Sequence, residues 1–311
     1  MSIKLKPLDQ QVIVITGATS GIGLATALTA AKKGCKVVLA ARSAETLAEV
    51  VAQITAAGGE ALDVVADVGH RAEVQAIADA AIARFGRIDT WVNDAGVSIY
   101  GRLAEVSEED SRRLFDTNFW GVVNGSLVAL AHLKKSGGAL INVGSEVSEA
   151  IVPLQGMYSA SKHAVKGFTD ALRVEHEEVD KGNVAITLIQ PTAVDTPFPQ
   201  NARNYMDKEP KLPTPQIEPQ QVADAILHAA CHHERAVKVG AMAKVNTVVA
   251  KIAPGLGDKI SAKQADRQQY DEPPRNPQGS LHVAGESGRT KGTGPMRDGD
   301  GTDRNSRDSV S

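Results

Sequence analysis

The chain is poor in cysteine, with only Cys35 and Cys231 in 311 residues. Two thiols so far apart make no disulfide framework, and they predict buried or incidental side chains in a reducing compartment. No run of eighteen apolar residues occurs, so no transmembrane helix is expected. Met1 to Gln10 lacks an apolar segment, so no signal peptide is expected either, and the predicted location is the cytoplasm. Charge of neither sign dominates: the net charge is −3, which gives no overall electrostatic reason to expect nucleic acid or an anionic membrane as partner. His232-His233-Glu234 carries metal-ligating types, but neighbours on a helix point apart and no further cluster lies close by in sequence, so no metal is expected. What the chain does have is 42% hydrophobic residues, enough for a sizeable core.

Those apolar residues fall in short β-branched runs that alternate with helical patterns. Strands are predicted at Val12 to Thr16, Lys36 to Ala40, Ala61 to Val65, Thr90 to Asn93, Ala139 to Val143, Val184 to Ile189 and Ala236 to Val239. Helices are predicted between them, including Arg71 to Phe85, a long one from Ser107 to about Lys135 with a bend near Gly121, Gly156 to Val179, and Glu218 to His232. Alternation of this kind implies right-handed βαβ units. The predicted fold is therefore α/β, a doubly wound parallel sheet of about seven strands with helices on both faces. Pro191 to Pro215 reads as a long loop with little regular structure, of a length that is usually functional. Residues 241–261 form an amphipathic extension with Lys244, Lys251 and Lys259 between apolar residues. Residues 262–311 are rich in Gly, Pro, Asp, Arg and Ser, and are expected to be disordered for want of apolar surface to bury.

Chemistry concentrates at three places. Thr16-Gly-Ala-Thr-Ser-Gly-Ile-Gly23 lies between the first strand and first helix, where glycines let the backbone approach a pyrophosphate and the helix N-terminus meets its charge. At the end of the second strand, Ala40-Ala41-Arg42 lacks the carboxylate that would take the ribose hydroxyls of NAD. Arg42 offers instead a planar fork suited to a 2′-phosphate, which predicts NADP over NAD. Finally, Tyr158 and Lys162 are four apart on a predicted helix and share a face. A phenol with a pKa of about 10 beside a cation is expected to ionise more readily, as a general acid/base working near neutrality must.

With Asp67-Val68, Asn93-Asp-Ala-Gly96, Asn118 and Ser145, these motifs occur in an order and at intervals that resemble the short-chain dehydrogenase/reductase family, over about Gln10 to Gly240. The resemblance implies a Rossmann-like catalytic domain over 1–240. It implies Tyr158 as acid/base, Lys162 lowering its pKa and holding the nicotinamide ribose, Ser145 on the substrate oxygen, and Asn118 holding a proton-relaying water. It assigns the coenzyme to Gly17, Thr19, Ser20, Gly21, Ile22, Gly23, Arg42, Asp67, Val68, Asn93, Ala95, Gly96, Pro191, Val194 and Thr196, besides Tyr158 and Lys162. Two positions depart from the family pattern: Asp94 stands where a second Asn is usual, and Thr192 where a Gly is usual. Glu146 and Glu149 rim the expected pocket or touch substrate. Trp91, Phe115, Phe119 and Trp120 read as core or subunit contacts. The implied function is an NADP(H)-dependent oxidoreductase interconverting a small-molecule carbonyl and a secondary alcohol, working as a homodimer or homotetramer. The rival reading is a non-catalytic NADP-binding sensor or scaffold acting through its C-terminal tail.

Overall fold

The computed structural model describes residues 3–263, 265–285 and 288–294. Its centre is a seven-stranded parallel sheet in the order β3-β2-β1-β4-β6-β7-β9. The strands are β1 Val12–Thr16, β2 Lys36–Ala41, β3 Glu60–Val65, β4 Thr90–Asn93, β6 Gly138–Val143, β7 Val184–Pro191 and β9 Ala236–Val239. A separate parallel pair joins β5 Ile99–Tyr100 to β8 Arg203–Asn204. The Pro191 to Pro215 loop, expected to hold little regular structure, contributes the two residues of β8.

Alternation along β1 explains the layering. Ile13 and Ile15 face one way, onto α1 Gly21–Lys32, α2 Ala44–Ala56 and α7 Pro219–Ala229. Val12 and Val14 face the other way, onto α3 Arg71–Phe85, α5 Gly121–Ser136 and α6 Gly156–Arg173. Both faces are covered, as a wholly parallel sheet requires. Local chemistry sets the helix ends: the Ser107 hydroxyl accepts the Asp110 N–H at 3.1 Å to start α4 Glu108–Phe115, and Gly86, at φ 77°, ends α3. The bend expected near Gly121 is a π turn over Asp116–Trp120, between α4 and α5. A second π turn, Val174–Val179, extends α6.

Asn93, expected at the coenzyme, is instead a buried bracket. Its Oδ1 accepts the indole N–H of the fully buried Trp91 at 2.8 Å. Its Nδ2 donates to Asn142 Oδ1 at 2.9 Å and Ser126 Oγ at 3.2 Å, which ties β4 to β6 and α5. The interior of α5 needs a glycine there, because a Cβ at Gly125 would come 2.0 Å from Asn93 Oδ1.

The amphipathic extension is two helices, α8 Ala241–Ile252 and α9 Pro254–Ala262. The expected disorder after Ala262 does not hold for 265–285 and 288–294, and the rest of that expectation lies outside the described residues. These residues pack on the domain through their backbone rather than through a core of their own. Lys211 N–H reaches Gln268 O at 2.9 Å, Asn204 N–H reaches Pro277 O at 2.9 Å, and Ser280 N–H reaches Asn201 O at 2.8 Å. One large side chain, Leu281, is wholly buried against Val97, Ile99 and Leu114. Hydrogen bonds borrowed from an ordered surface offset chain entropy where composition alone could not.

The bracket predicts that Asn93→Ala, which strands the Trp91 N–H and takes one partner each from Asn142 and Ser126, lowers stability by about 1–3 kcal/mol. Urea denaturation measures this, and an unchanged midpoint would contradict it.

Candidate active site

The sheet order reverses between β1 and β4, where the connections run off to opposite edges. Crevices at such a switch point, beyond the carboxyl ends of the strands, are where doubly wound sheets hold ligands. A cleft opens there. The turn after β1 lines it with Gly17, Thr19, Ser20, Gly21 and Ile22; β2 and β3 end in Arg42, Asp67 and Val68; β4 in Ala95 and Gly96; β6 in Ser145; and β7 in Pro191, Val194 and Thr196. Tyr158 and Lys162 enter from α6. Of the residues expected here, Gly23, Asn93 and Asn118 do not line the cleft.

At the nicotinamide end expected from the sequence, Ser145 stands near enough to the Tyr158 phenol for its hydroxyl to favour the phenolate. Lys162 Nζ lies 5.7 Å from the Tyr158 ring centre and donates to Val143 O at 2.8 Å. The expected depression of the tyrosine pKa is not met. Burial pushes the phenol above its usual range, against the pull of Ser145, and the carboxyls of Asp94 and Glu146 push it further. The same burial brings Lys162 down to about 8, partly offset by Asp94. The reason is common to both groups: each loses hydration against the wall of the cleft, and each is thereby disfavoured as an ion. Asp94 follows the same rule and rises to about 7 by burial, although Lys162 and the Gly23 N–H favour its charge.

Asn118 sits in the first π turn and is fully buried. Its Oδ1 accepts the Val97 N–H at 2.8 Å, and its Nδ2 donates to Val97 O at 2.9 Å and Ser161 Oγ at 3.1 Å. It therefore braces the chain after β4 against α6. A Cβ at Gly96 would lie 3.6 Å from Asn118 Oδ1 and 3.9 Å from Lys162 Nζ, so this backbone passes close to both. The Phe198 ring, 5.4 Å from that of Tyr158, walls the same end together with Val152 and Leu212. Glu146 lines the cleft and accepts from Thr192 Oγ1 at 3.1 Å and from Asn246 at 2.9 Å, while burial raises its pKa. Glu149 is turned to Lys251 at 2.7 Å and Gln190 at 3.0 Å.

At the other end, Gly17 permits a close approach. It holds φ +72°, and a Cβ there would come 2.8 Å from Ala95 Cα. A Cβ at Gly23 would meet Gly17 O at 2.2 Å, so that glycine seats α1 on its turn. The first amides of α1 then face the cleft, a ready anion site. Asp67, expected at adenine, is bound to the Arg113 guanidinium. Burial works against its charge, but Arg113, the Gly69 N–H and Arg42 outweigh burial and hold the carboxyl below the usual range. Arg42 is disfavoured as a cation by burial first and by neighbouring Arg113 second. Two guanidiniums therefore share this corner with one carboxylate, Asp67, which leaves a net positive charge that suits a further anion. The glycine turn, the α1 amides and the arginine corner fit a dinucleotide's phosphates.

Sequence reasoning missed Arg113, Phe198 and the C-terminal segment, from which Ser280, Ala284 and Gly285 line the cleft. Leu281, an isolated leucine in a polar stretch, was the one available sign of the last. Elsewhere, Cys35 is buried and its thiol is pushed up to about 12, mainly by that burial. His233 pairs with Glu177 at 3.1 Å, and His228 stacks on His232. Among the described residues no helix is long and apolar enough to cross a membrane.

Comparison with known proteins agrees with this architecture. The model of the short chain dehydrogenase family matches residues 11–207. An uncharacterized oxidoreductase of Bacillus subtilis, YxnA, is 44% identical over 296 residues, covering 94% of this chain and 83% of that protein, so the likeness extends into the segment after Ala262. Among solved structures, a short chain dehydrogenase/reductase from Burkholderia phymatum in complex with NAD is 29% identical, with a TM-score of 0.74 over 81% of this chain and 96% of its own. An alcohol dehydrogenase from Thermococcus sibiricus, complexed with 5-hydroxy-NADP, is 28% identical, with a TM-score of 0.65 over 74% of this chain and 94% of its own. With its glycine turn at the switch point, its Ser–Tyr–Lys cluster and a family match over more than half its length, the chain belongs to the short-chain dehydrogenase/reductase family of oxidoreductases.

Proposed function

We propose that this chain is an NADP(H)-dependent oxidoreductase that interconverts an apolar ketone or aldehyde and the corresponding alcohol. The observation that carries the reading is the convergence of Ser145, Tyr158 and Lys162 on the cleft whose far end is the N-terminus of α1. When bound, the coenzyme supplies or accepts the hydride. The protein does the rest. Ser145 and Tyr158 donate hydrogen bonds to the substrate oxygen as charge develops on it. Tyr158 passes its proton to that oxygen in reduction and takes it back in oxidation. Lys162, held by Val143 O, places its ammonium below the phenol and binds the ribose hydroxyls. Asn118 positions this cluster by fixing the Gly96–Val97 backbone. Phe198, Val152 and Leu212 favour an apolar substrate and exclude water from the reacting atoms.

The preference for NADP over NAD rests on the Arg42–Arg113 corner and on the missing carboxylate after β2. Gly17, Thr19, Ser20 and Ile22 would cradle the diphosphate, Asp67 and Val68 would flank the adenine, and Val194 and Thr196 would meet the carboxamide. The exposed Trp120 and Leu127, with Val174 and Val179 beyond α6, support a homodimer or homotetramer built on these long helices. Two free cysteines suit the cytoplasm. Presence of the whole reacting set in one cleft favours catalysis over a sensor or scaffold role.

Tyr158→Phe is expected to lower kcat with apolar ketones by at least ~10²-fold, while NADPH still binds within about threefold of the wild-type Kd. Stopped-time absorbance and fluorescence titration measure these, and full turnover in the variant would refute the assignment. Arg42→Ala is expected to weaken NADPH ~10–100-fold, the loss of a charged hydrogen-bonding group, without weakening NADH. Equal weakening of both coenzymes would remove the basis for the NADP choice.

A further inference from the structure

The donors that would meet a dinucleotide's phosphates already hold acceptors, and those acceptors come from the C-terminal segment. Arg42 Nη1 donates to Leu281 O at 3.1 Å, and Nη2 donates to Ser280 O and, at 3.4 Å, to Val283 O. Arg113 Nε donates to the same Leu281 O at 3.1 Å. At the other phosphate position, the Gly21 N–H in the first turn of α1 donates to Arg289 O at 2.9 Å. Backbone carbonyls from one stretch of chain thus cover both the guanidinium corner and the helix N-terminus. Nothing in the fold of the sheet requires this, because every one of these acceptors lies beyond its last strand.

The segment is held at both banks of the cleft. On one side Leu281 is buried against Val97, Ile99 and Leu114, and His282 pairs with Asp110 at 2.7 Å. On the other, Ser280 N–H donates to Asn201 O at 2.8 Å, Lys291 pairs with Glu218 at 2.6 Å, and Gly292 N–H reaches Asp195 at 3.3 Å. These holds are mostly hydrogen bonds near the surface, each worth little alone, around a single apolar anchor. Such a strap can open without disturbing the core.

We propose that the strap formed by Pro277–Gly285 and the Arg289 carbonyl is an internal competitor for the coenzyme's phosphates. It must leave Arg42 and Gly21 before NADP(H) binds. The inference rests on the reading of the cleft as a dinucleotide site. A phosphate carries full charge where an amide carbonyl carries a partial one, so Arg42 exchanges the strap for a 2′-phosphate favourably. Until that exchange, the apparent Kd is the intrinsic Kd divided by the fraction of molecules in which the strap is open. Coenzyme capture and strap release are then one equilibrium, and weakening the strap tightens the coenzyme.

The test uses the full chain and two variants that leave the cleft's donors untouched. Leu281→Ala removes the apolar anchor, and His282→Ala, at an exposed position, removes one ion pair. Fluorescence titration with NADPH is expected to give a Kd lowered roughly 3- to 30-fold in Leu281→Ala and by a smaller factor in His282→Ala. Amide hydrogen exchange over 277–285 in the wild-type chain is expected to speed up on saturation with NADPH. If wild type binds NADPH but neither variant binds it more tightly, and the strap amides keep their protection, the inference is overturned and the dinucleotide site stands. If none of the three shows saturable binding of NADPH or NADH, the dinucleotide reading itself falls, and the strap's role with it.

Discussion

The contact on which the rest of the molecule depends is the meeting of two backbones at the centre of the sheet. The turn after β1 presses on the chain after β4, with room at Gly17 for a hydrogen and nothing more. Thr16 Oγ1 locks the two together by accepting the N–H groups of Asp94 and Ala95 at 3.1 and 3.2 Å. This closeness aims the first amides of α1 into the crevice. It also places Gly96 close to both Asn118 and Lys162, and so brings the phosphate end and the reacting end onto one surface. Strand order explains why it happens here: β1 and β4 are neighbours whose crossovers depart in opposite directions.

Burial is the second constraint, and it governs the chemistry. Tyr158, Lys162 and Asp94 line one cleft, Lys162 buried and the other two half-buried, and desolvation moves each toward its neutral form. A tyrosine kept protonated is suited to giving a proton to a carbonyl oxygen. A lysine near neutrality in its titration can take up charge when a ribose and an oxyanion face it. The Asp94 carboxyl acts on both. Thr192 donates to Glu146 and lies against the close approach of Gly240.

Much of this was legible in the sequence, for identifiable reasons. The seven strands are β-branched runs bounded by turn residues, and helix limits follow Ser107, Gly86 and the glycine turn. The cluster Ser145, Tyr158 and Lys162 was legible because each motif sits at the end of a strand or on one face of a helix. Three things were not. Asn93 reads as a strand-end residue, but its partners Trp91, Ser126 and Asn142 are brought to it only by packing. The direction of the Tyr158 shift depends on how deeply the pair is buried, which spacing along a helix does not encode. The strap acts through main-chain carbonyls, which any residue can supply, so its polar composition pointed to disorder and away from its contacts.

The strap also changes the meaning of Arg42. Its sequence position suggests an open fork awaiting a phosphate. In the fold the fork is filled, and its ligands belong to the same chain. Recognition of coenzyme and retention of the C-terminal segment therefore draw on the same donors, and they are to be understood together. The measurement that bears most directly on the central claim is a crystal structure of the full chain grown with NADPH. The account predicts the diphosphate on the N-terminus of α1 and the nicotinamide ring beside Tyr158 and Ser145. A nucleotide bound elsewhere, or a ring lying away from that tyrosine, would contradict it.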